Sequence, residues 1–241
     1  MLKVHSVETF GTHEGPGIRL VIFTQGCHFR CLYCHNPDTQ ALNGGTDMSV
    51  EEIVRLAEKQ KAYFGTEGGV TVSGGEPTIH AKELLKLFQA LHAKNIHTAL
   101  DTNGALVNDD TKKLYAETDL LLLDTKHIDE TKHQTLTGMS NENTLALAKY
   151  RESTRKSMWL RYVLVPGYSD DETDLVRLGE HFKDYQYIDR IEILPYHTLG
   201  AYKYEKLGRK DPLEGVSVPD KTMITKTVEI LKPYFRKVTV R

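Results

Sequence analysis

Residues 18–34 read IRLVIFTQGCHFRCLYC. Ile18 to Thr24 is a short run of aliphatic and β-branched residues, the composition of a buried strand. Gln25 and Gly26 close it, and Cys27, Cys31 and Cys34 follow at once in the spacing C-x3-C-x2-C. The same layout, an apolar run closed by a polar or glycine-bearing turn, recurs five more times. Gly69 to Ser73 leads into Gly74-Gly75-Glu76-Pro77, His97 to Asp101 into Asp101-Thr102-Asn103-Gly104, and Asp119 to Asp124 into Asp124-Thr125-Lys126. Met158 to Val165 carries Arg161 and leads into Pro166-Gly167, while Arg190 to Pro195 ends in Pro195-Tyr196-His197.

Helical patterns lie between most of these runs. Ser49 is placed to cap a helix reaching about Phe64, with Glu52 at the capping-box position and Ile53, Leu56 and Ala57 at apolar spacing. His80 to Lys94, Asp171 to Tyr185 and Asp220 to Phe235 repeat the pattern. Six strands alternating with helices predict an α/β fold with a parallel sheet, either a curved partial barrel or a doubly wound open sheet. In both, the loops at the C-terminal ends of the strands converge on the functional face, so the polar and thiol groups at those ends predict one shared site.

No repeat, low-complexity tract or linker divides the 241 residues, which predicts a single domain over 1–241. Lys and Arg number 31 against 33 Asp and Glu, so no basic excess directs the chain to nucleic acid or anionic lipid. The first ten residues, MLKVHSVETF, lack the apolar stretch of a signal peptide, and the aliphatic run Leu120 to Leu123 is too short to cross a bilayer. A cytoplasmic protein without membrane contact is the expectation. The 3 cysteines all lie in one loop, which is no disulfide framework and points to metal or redox chemistry.

Three thiolates on a short loop can hold three irons of a [4Fe-4S] cluster and leave the fourth iron open. Other readings compete. Cys31-Leu32-Tyr33-Cys34-His35 also fits the C-x-x-C-H pattern of haem attachment. A Cys3His zinc site could recruit His28 or His35. Thiols with no ligand would crowd three oxidisable groups onto one loop to no purpose.

The cysteine loop after the first strand and Gly74-Gly75-Glu76-Pro77 after the second resemble the radical S-adenosylmethionine (SAM) superfamily. Glu14-Gly15-Pro16-Gly17-Ile18-Arg19, Tyr33-Cys34-His35-Asn36, Asp101-Thr102-Asn103-Gly104, Arg161-Tyr162-Val163, Val165-Pro166-Gly167 and Leu194-Pro195-Tyr196-His197 are similar, over nearly the whole chain, to its glycyl-radical enzyme activases. The resemblance implies a partial (β/α)6 barrel of the radical SAM type with short N- and C-terminal additions. It implies that SAM binds the open iron and is cleaved reductively to a 5′-deoxyadenosyl radical. That radical would take a hydrogen atom from a backbone glycine of a partner protein, pyruvate formate-lyase or a 2-ketoacid formate-lyase of similar loop sequence. A flavodoxin or similar reductant and a monomeric state are implied in the same way.

Residue roles follow from the resemblance. Gly74 and Gly75 meet the methionine moiety and Glu76 orients their loop. Asp124 and Lys126, with Thr125 between them, face the amino and carboxylate groups of SAM. Tyr33, Cys34, His35, Asn36, Arg161 and His197 complete the SAM site. A monovalent cation is held by Asp101, Asp124 and the carbonyls of Thr102 and Leu122, although an Asx turn at Asp101 or Asn103 competes with this reading. Glu14, Gly15, Pro16, Gly17, Ile18 and Arg19 lie near the incoming peptide. Two positions depart from the family: Glu14 stands where Asp is common, and Thr125 where an aliphatic residue is common. With no cysteine left for an inserted ferredoxin-like segment, the chain fits the simpler activases. The rival from another class is a non-enzymatic zinc or electron-transfer module.

Overall fold

The computed structural model describes all 241 residues, in two compact units. The first comprises residues 1–28 and 39–122, the second residues 29–38 and 123–241.

In the first unit the chain forms β1 (Leu2–Gly11), β2 (Arg19–Thr24), β3 (Thr46–Met48), α1 (Val50–Phe64), β4 (Gly69–Gly74), α2 (Ala81–His92), β5 (His97–Thr102), α3 (Asp109–Glu117) and the start of β6 (Leu120–Asp124). Strand order is β3-β1-β2-β4-β5-β6. β1 runs antiparallel to β2 and β3, whereas β2, β4 and β5 are parallel. The register sets Arg19 opposite Gly69 and Thr24 opposite Gly74, so the turn into Cys27 and the turn into Glu76 leave the sheet at the same end. Every residue of β2 except Phe23 is buried, as a parallel strand covered on both faces requires. α1 starts where the sequence places it: Ser49 accepts from the Glu52 amide and Glu52 reaches back to the Ser49 amide.

The second unit holds the end of β6, α4 (Glu130–Thr137), α5 (Glu142–Ser153), β7 (Met158–Leu164), α6 (Glu172–Phe182), β8 (Ile188–Pro195), α7 (Ala201–Lys206), α8 (Lys221–Leu231) and β9 (Val238–Val240). Strand order is β6-β7-β8-β9, with β7, β8 and β9 parallel. Asp129, Asp171 and Asp220 cap α4, α6 and α8, and Gly138 ends α4 in the left-handed conformation at φ 78°.

The six strands expected from the sequence are β2 and β4 to β8. Each lies beside its neighbour in the chain, so the order never reverses as it does at the switch point of a doubly wound sheet. This is the singly wound (β/α)6 order. The additions at the ends are β1 with β3, and β9. Their polar, half-exposed residues lack the apolar run that marks the other six. Helices α3, α4, α5 and α7 are additional to the helices expected from the sequence, because they are short or carry few apolar residues in a stripe. No helix is long and apolar enough to cross a membrane.

Candidate functional site

In the first unit the ends of β2, β4 and β5 bring together Cys27, the Gly74-Gly75-Glu76 turn and Asp101-Thr102-Asn103. Glu76 is the hub. Fully buried, its carboxylate accepts from the Thr78 amide at 3.0 Å, the Thr102 hydroxyl at 2.7 Å and the Asn103 amide at 2.9 Å. Burial raises its pKa against these donors, which pull the other way. The turn has to be glycine: Gly74 has φ +113°, and a Cβ on Gly75 would stand 2.1 Å from the Gly26 carbonyl. Asp101 accepts from Ser73 Oγ at 2.8 Å. Asn103 makes the Asx turn, its Oδ1 accepting from the Ala105 amide at 2.9 Å, while its Nδ2 points to Cys27 Sγ at 3.7 Å. Leu122 is wholly buried in β6.

Glu14 to Ile18 lies at the other end of β2. Six residues of strand, about 20 Å, separate it from the cysteine turn. Glu14 is half-buried and accepts from the His13 amide at 3.3 Å. Arg19 is wholly buried and donates to the carbonyls of Pro16 at 3.0 Å, Glu67 at 3.3 Å and Val70 at 2.9 Å. Burial lowers its pKa to about 10. Its guanidinium is spent on holding the Pro16–Gly17 turn in place and is not presented to a peptide.

In the second unit Cys31 and Cys34 are half-buried on a loop pinned by backbone bonds: Arg30 N donates to Thr137 O at 2.7 Å and Leu32 N to Leu136 O at 2.9 Å. Tyr33 packs between them into a cluster with Leu136, Val165, Tyr196 and Leu213. At the end of β6, Lys126 Nζ meets Asp124 Oδ2 at 2.6 Å and stands 5.6 Å over the Tyr33 ring. Burial works against the Lys126 charge, but Asp124 and the Tyr33 and Cys31 groups raise its pKa well above the usual lysine value. Thr125 explains its own departure from an aliphatic residue: its hydroxyl and amide both donate to the Arg161 carbonyl, at 3.1 and 2.9 Å. Arg161 in turn pairs with the buried Glu192 at 3.3 Å. His35 and His197 stack with centroids 4.0 Å apart, and His35 Nε2 donates to the His197 carbonyl at 3.0 Å. Burial, then His197, lowers the pKa of His35. Asn36 Oδ1 accepts from Lys203 Nζ at 2.8 Å.

The half-buried thiols of Cys31 and Cys34 on their pinned loop, and that of Cys27 facing an amide donor, are the donor type that a [4Fe-4S] cluster takes. Burial pushes the Cys31 thiol up to about 12, so ligation there displaces a proton. A cavity of about 540 Å³ in the second unit is lined by Lys132, Leu136, Tyr168 and Asp171 among others and by none of the residues assigned to cluster or SAM. Asn103 beside Cys27 in the first unit, and Glu192 beside Arg161, Lys203 beside Asn36 and Tyr204 near Cys34 in the second, adjoin site residues without having been assigned from sequence. Only Asn103 lay in a recognised motif; the others sit on α7 or in β8, where nothing in spacing marks them.

The radical SAM superfamily model matches residues 21–179. Pyruvate formate-lyase-activating enzymes of Staphylococcus epidermidis and Staphylococcus aureus are each 46% identical to the chain over 91% of its length and 92% of theirs. Among solved structures, a domain of pyruvate-formate lyase-activating enzyme from Bacteroides vulgatus superposes with a TM-score of 0.61 at 26% identity, over 72% of this chain and 99% of that one. Streptococcus suis SuiB bound to S-adenosylmethionine superposes with a TM-score of 0.71 at 17% identity, over 95% of this chain and 50% of that one.

Proposed function

This chain belongs to the radical SAM superfamily, and from that premise we propose that it places a radical on a backbone glycine of pyruvate formate-lyase. It is a SAM-dependent activating enzyme whose substrate is a protein. The observation that carries this is the 46% identity to the staphylococcal activating enzymes over nine-tenths of both chains.

When bound, the [4Fe-4S] cluster and SAM supply the one-electron reductive chemistry that begins the reaction. The protein's part is to hold and orient. Cys27, Cys31 and Cys34 are the cluster ligands. Gly74 and Gly75 offer bare backbone to the methionine end of SAM, on a turn that Glu76 fastens to the Asp101–Asn103 loop. Asp124 and Lys126 carry the two charges that a zwitterionic amino acid needs opposite it. Tyr33, His35, Asn36, Arg161 and His197 serve the ribose and adenine. Asp101, Asp124 and the carbonyls of Thr102 and Leu122 offer the oxygens that suit a monovalent cation. Glu14 to Ile18 meets the partner peptide, with Arg19 as its positioning residue.

The chain acts as one radical SAM domain over 1–241, a reading supported by a family model that runs through both units. A flavodoxin-like reductant, a monomeric state and a cytoplasmic location complete the proposal.

Anaerobic reconstitution with iron and sulfide tests it. The expected result is a cluster whose paramagnetic resonance spectrum changes on adding SAM, and a glycyl signal on pyruvate formate-lyase after incubation with SAM and a reductant. Bound zinc with no response to SAM would overturn the reading, and SAM cleavage without a glycyl signal would remove the partner.

A further inference from the structure

α7 is packed onto the cysteine loop. A Cβ on Gly200 would stand 2.9 Å from His35 Cα, and Lys203 Nζ reaches Asn36 at 2.8 Å and Asp38 at 3.1 Å. Between these two fastenings and the loop lies a small cavity lined by Cys34, Tyr33, His35, Tyr196, His197 and Tyr204. Tyr204 is the inward residue of α7, 2% exposed, and its hydroxyl is buried with no hydrogen-bond partner. A buried phenol ordinarily finds an acceptor, because leaving one unpaired costs about 1–3 kcal/mol. The ring does not account for it: Tyr202, two residues earlier, is 53% exposed and carries the outer face of the same helix.

We infer that the Tyr204 hydroxyl is a hydrogen-bond donor to the sulfur of Cys34 once that cysteine is a ligand, and so sets how readily the cluster is reduced. A neutral thiol is a weak acceptor, whereas a metal-bound thiolate is a strong one; the missing partner is supplied by ligation itself. An ordinary phenol is protonated at neutral pH, so the hydroxyl has its proton to give. Hydrogen bonds to cluster sulfurs are one of the means by which a protein adjusts reduction potential. The added electron puts more negative charge on the sulfurs, so the donor favours the reduced state. Tyr204 is a positioning and tuning residue in this account, distinct from the ligands. The inference rests on the three-cysteine cluster of the proposed function.

Three measurements on Tyr204→Phe test it. In the reconstituted protein, iron content and the response to SAM are expected to match the parent. The reduction equilibrium is expected to move about tenfold against reduction, which for one electron is about 59 mV more negative. The proton that couples to the parent cluster in H2O and is lost on exchange into D2O is expected to be missing from the variant's electron-nuclear double resonance spectrum in H2O. In the metal-free chain the same substitution is expected to leave the melting temperature unchanged or raised, because it deletes an unpaired polar group. Tyr202→Phe, on the exposed face, is the control for all three. An unchanged potential and proton spectrum in a fully loaded Tyr204→Phe protein would overturn the inference while leaving the function standing. A fall in metal-free stability would show that the hydroxyl has a structural partner and would overturn it too. Failure of the parent chain to take up a cluster would instead strike the proposed function.

Discussion

Lys126 and Asp124 are each other's partner at 2.6 Å, and both are mostly covered, so removing either leaves the other charge poorly solvated. Lys126→Met is expected to weaken SAM binding to the reconstituted protein by at least about tenfold, about 1.4 kcal/mol, as read by calorimetric titration. An unchanged affinity would show that the lysine serves only the fold. The cysteines allow a sharper test. Each of Cys27→Ala, Cys31→Ala and Cys34→Ala removes one of the proposed ligands, and 5′-deoxyadenosine formation from SAM is expected to disappear in all three; full activity in any one would contradict the ligand set. Arg19 differs in kind. It is buried against backbone carbonyls, so Arg19→Met is expected to cost about 3 kcal/mol or more in urea unfolding.

At the scale of elements, the capping box of α1 is worth a direct measurement. Ser49→Ala deprives the Glu52 amide of its acceptor and is expected to cost about 1 kcal/mol with no change in SAM binding. That box was readable because a cap is a local code of four residues. The six parallel strands were readable for a related reason: strands buried on both faces must be continuously apolar, as in Leu20 to Ile22 and Leu120 to Leu123. β1 was not, because along one face buried Leu2 and Val4 give way to exposed Ser6 and Glu8, and its position was set by pairing with β2 and β3. In the site, the cysteines and the Gly-Gly-Glu-Pro turn were legible as motifs. The bond from Thr125 to Arg161 and the packing of Tyr204 against the cysteine loop were not, since they join residues 36 or more positions apart that only the folded chain brings together.

Across the whole molecule, burial lowers the pKa of His35, His97, His127, His133 and His181. The unfolded chain therefore binds more protons than the folded one as pH falls below about 6.5, and stability is lost in that direction. Glu76, raised by burial, opposes this, but as one group against five. Urea midpoints of the metal-free protein are expected to fall between pH 7.5 and pH 5.5; a constant or rising midpoint would contradict the assignment of these imidazoles as neutral. The backbone bonds that pin the cysteine loop to the end of α4 bear on durability. Arg30 and Leu32 are tied to Thr137 and Leu136 through backbone groups and not through the cysteine sulfurs, so these ties do not depend on the iron. A zinc finger collapses when its ion is chelated. Here, iron stripped by air is expected to leave the circular dichroism spectrum unchanged, and anaerobic iron and sulfide to restore SAM cleavage without refolding. Damage by oxygen then becomes an interruption of service in a chain that can be recharged.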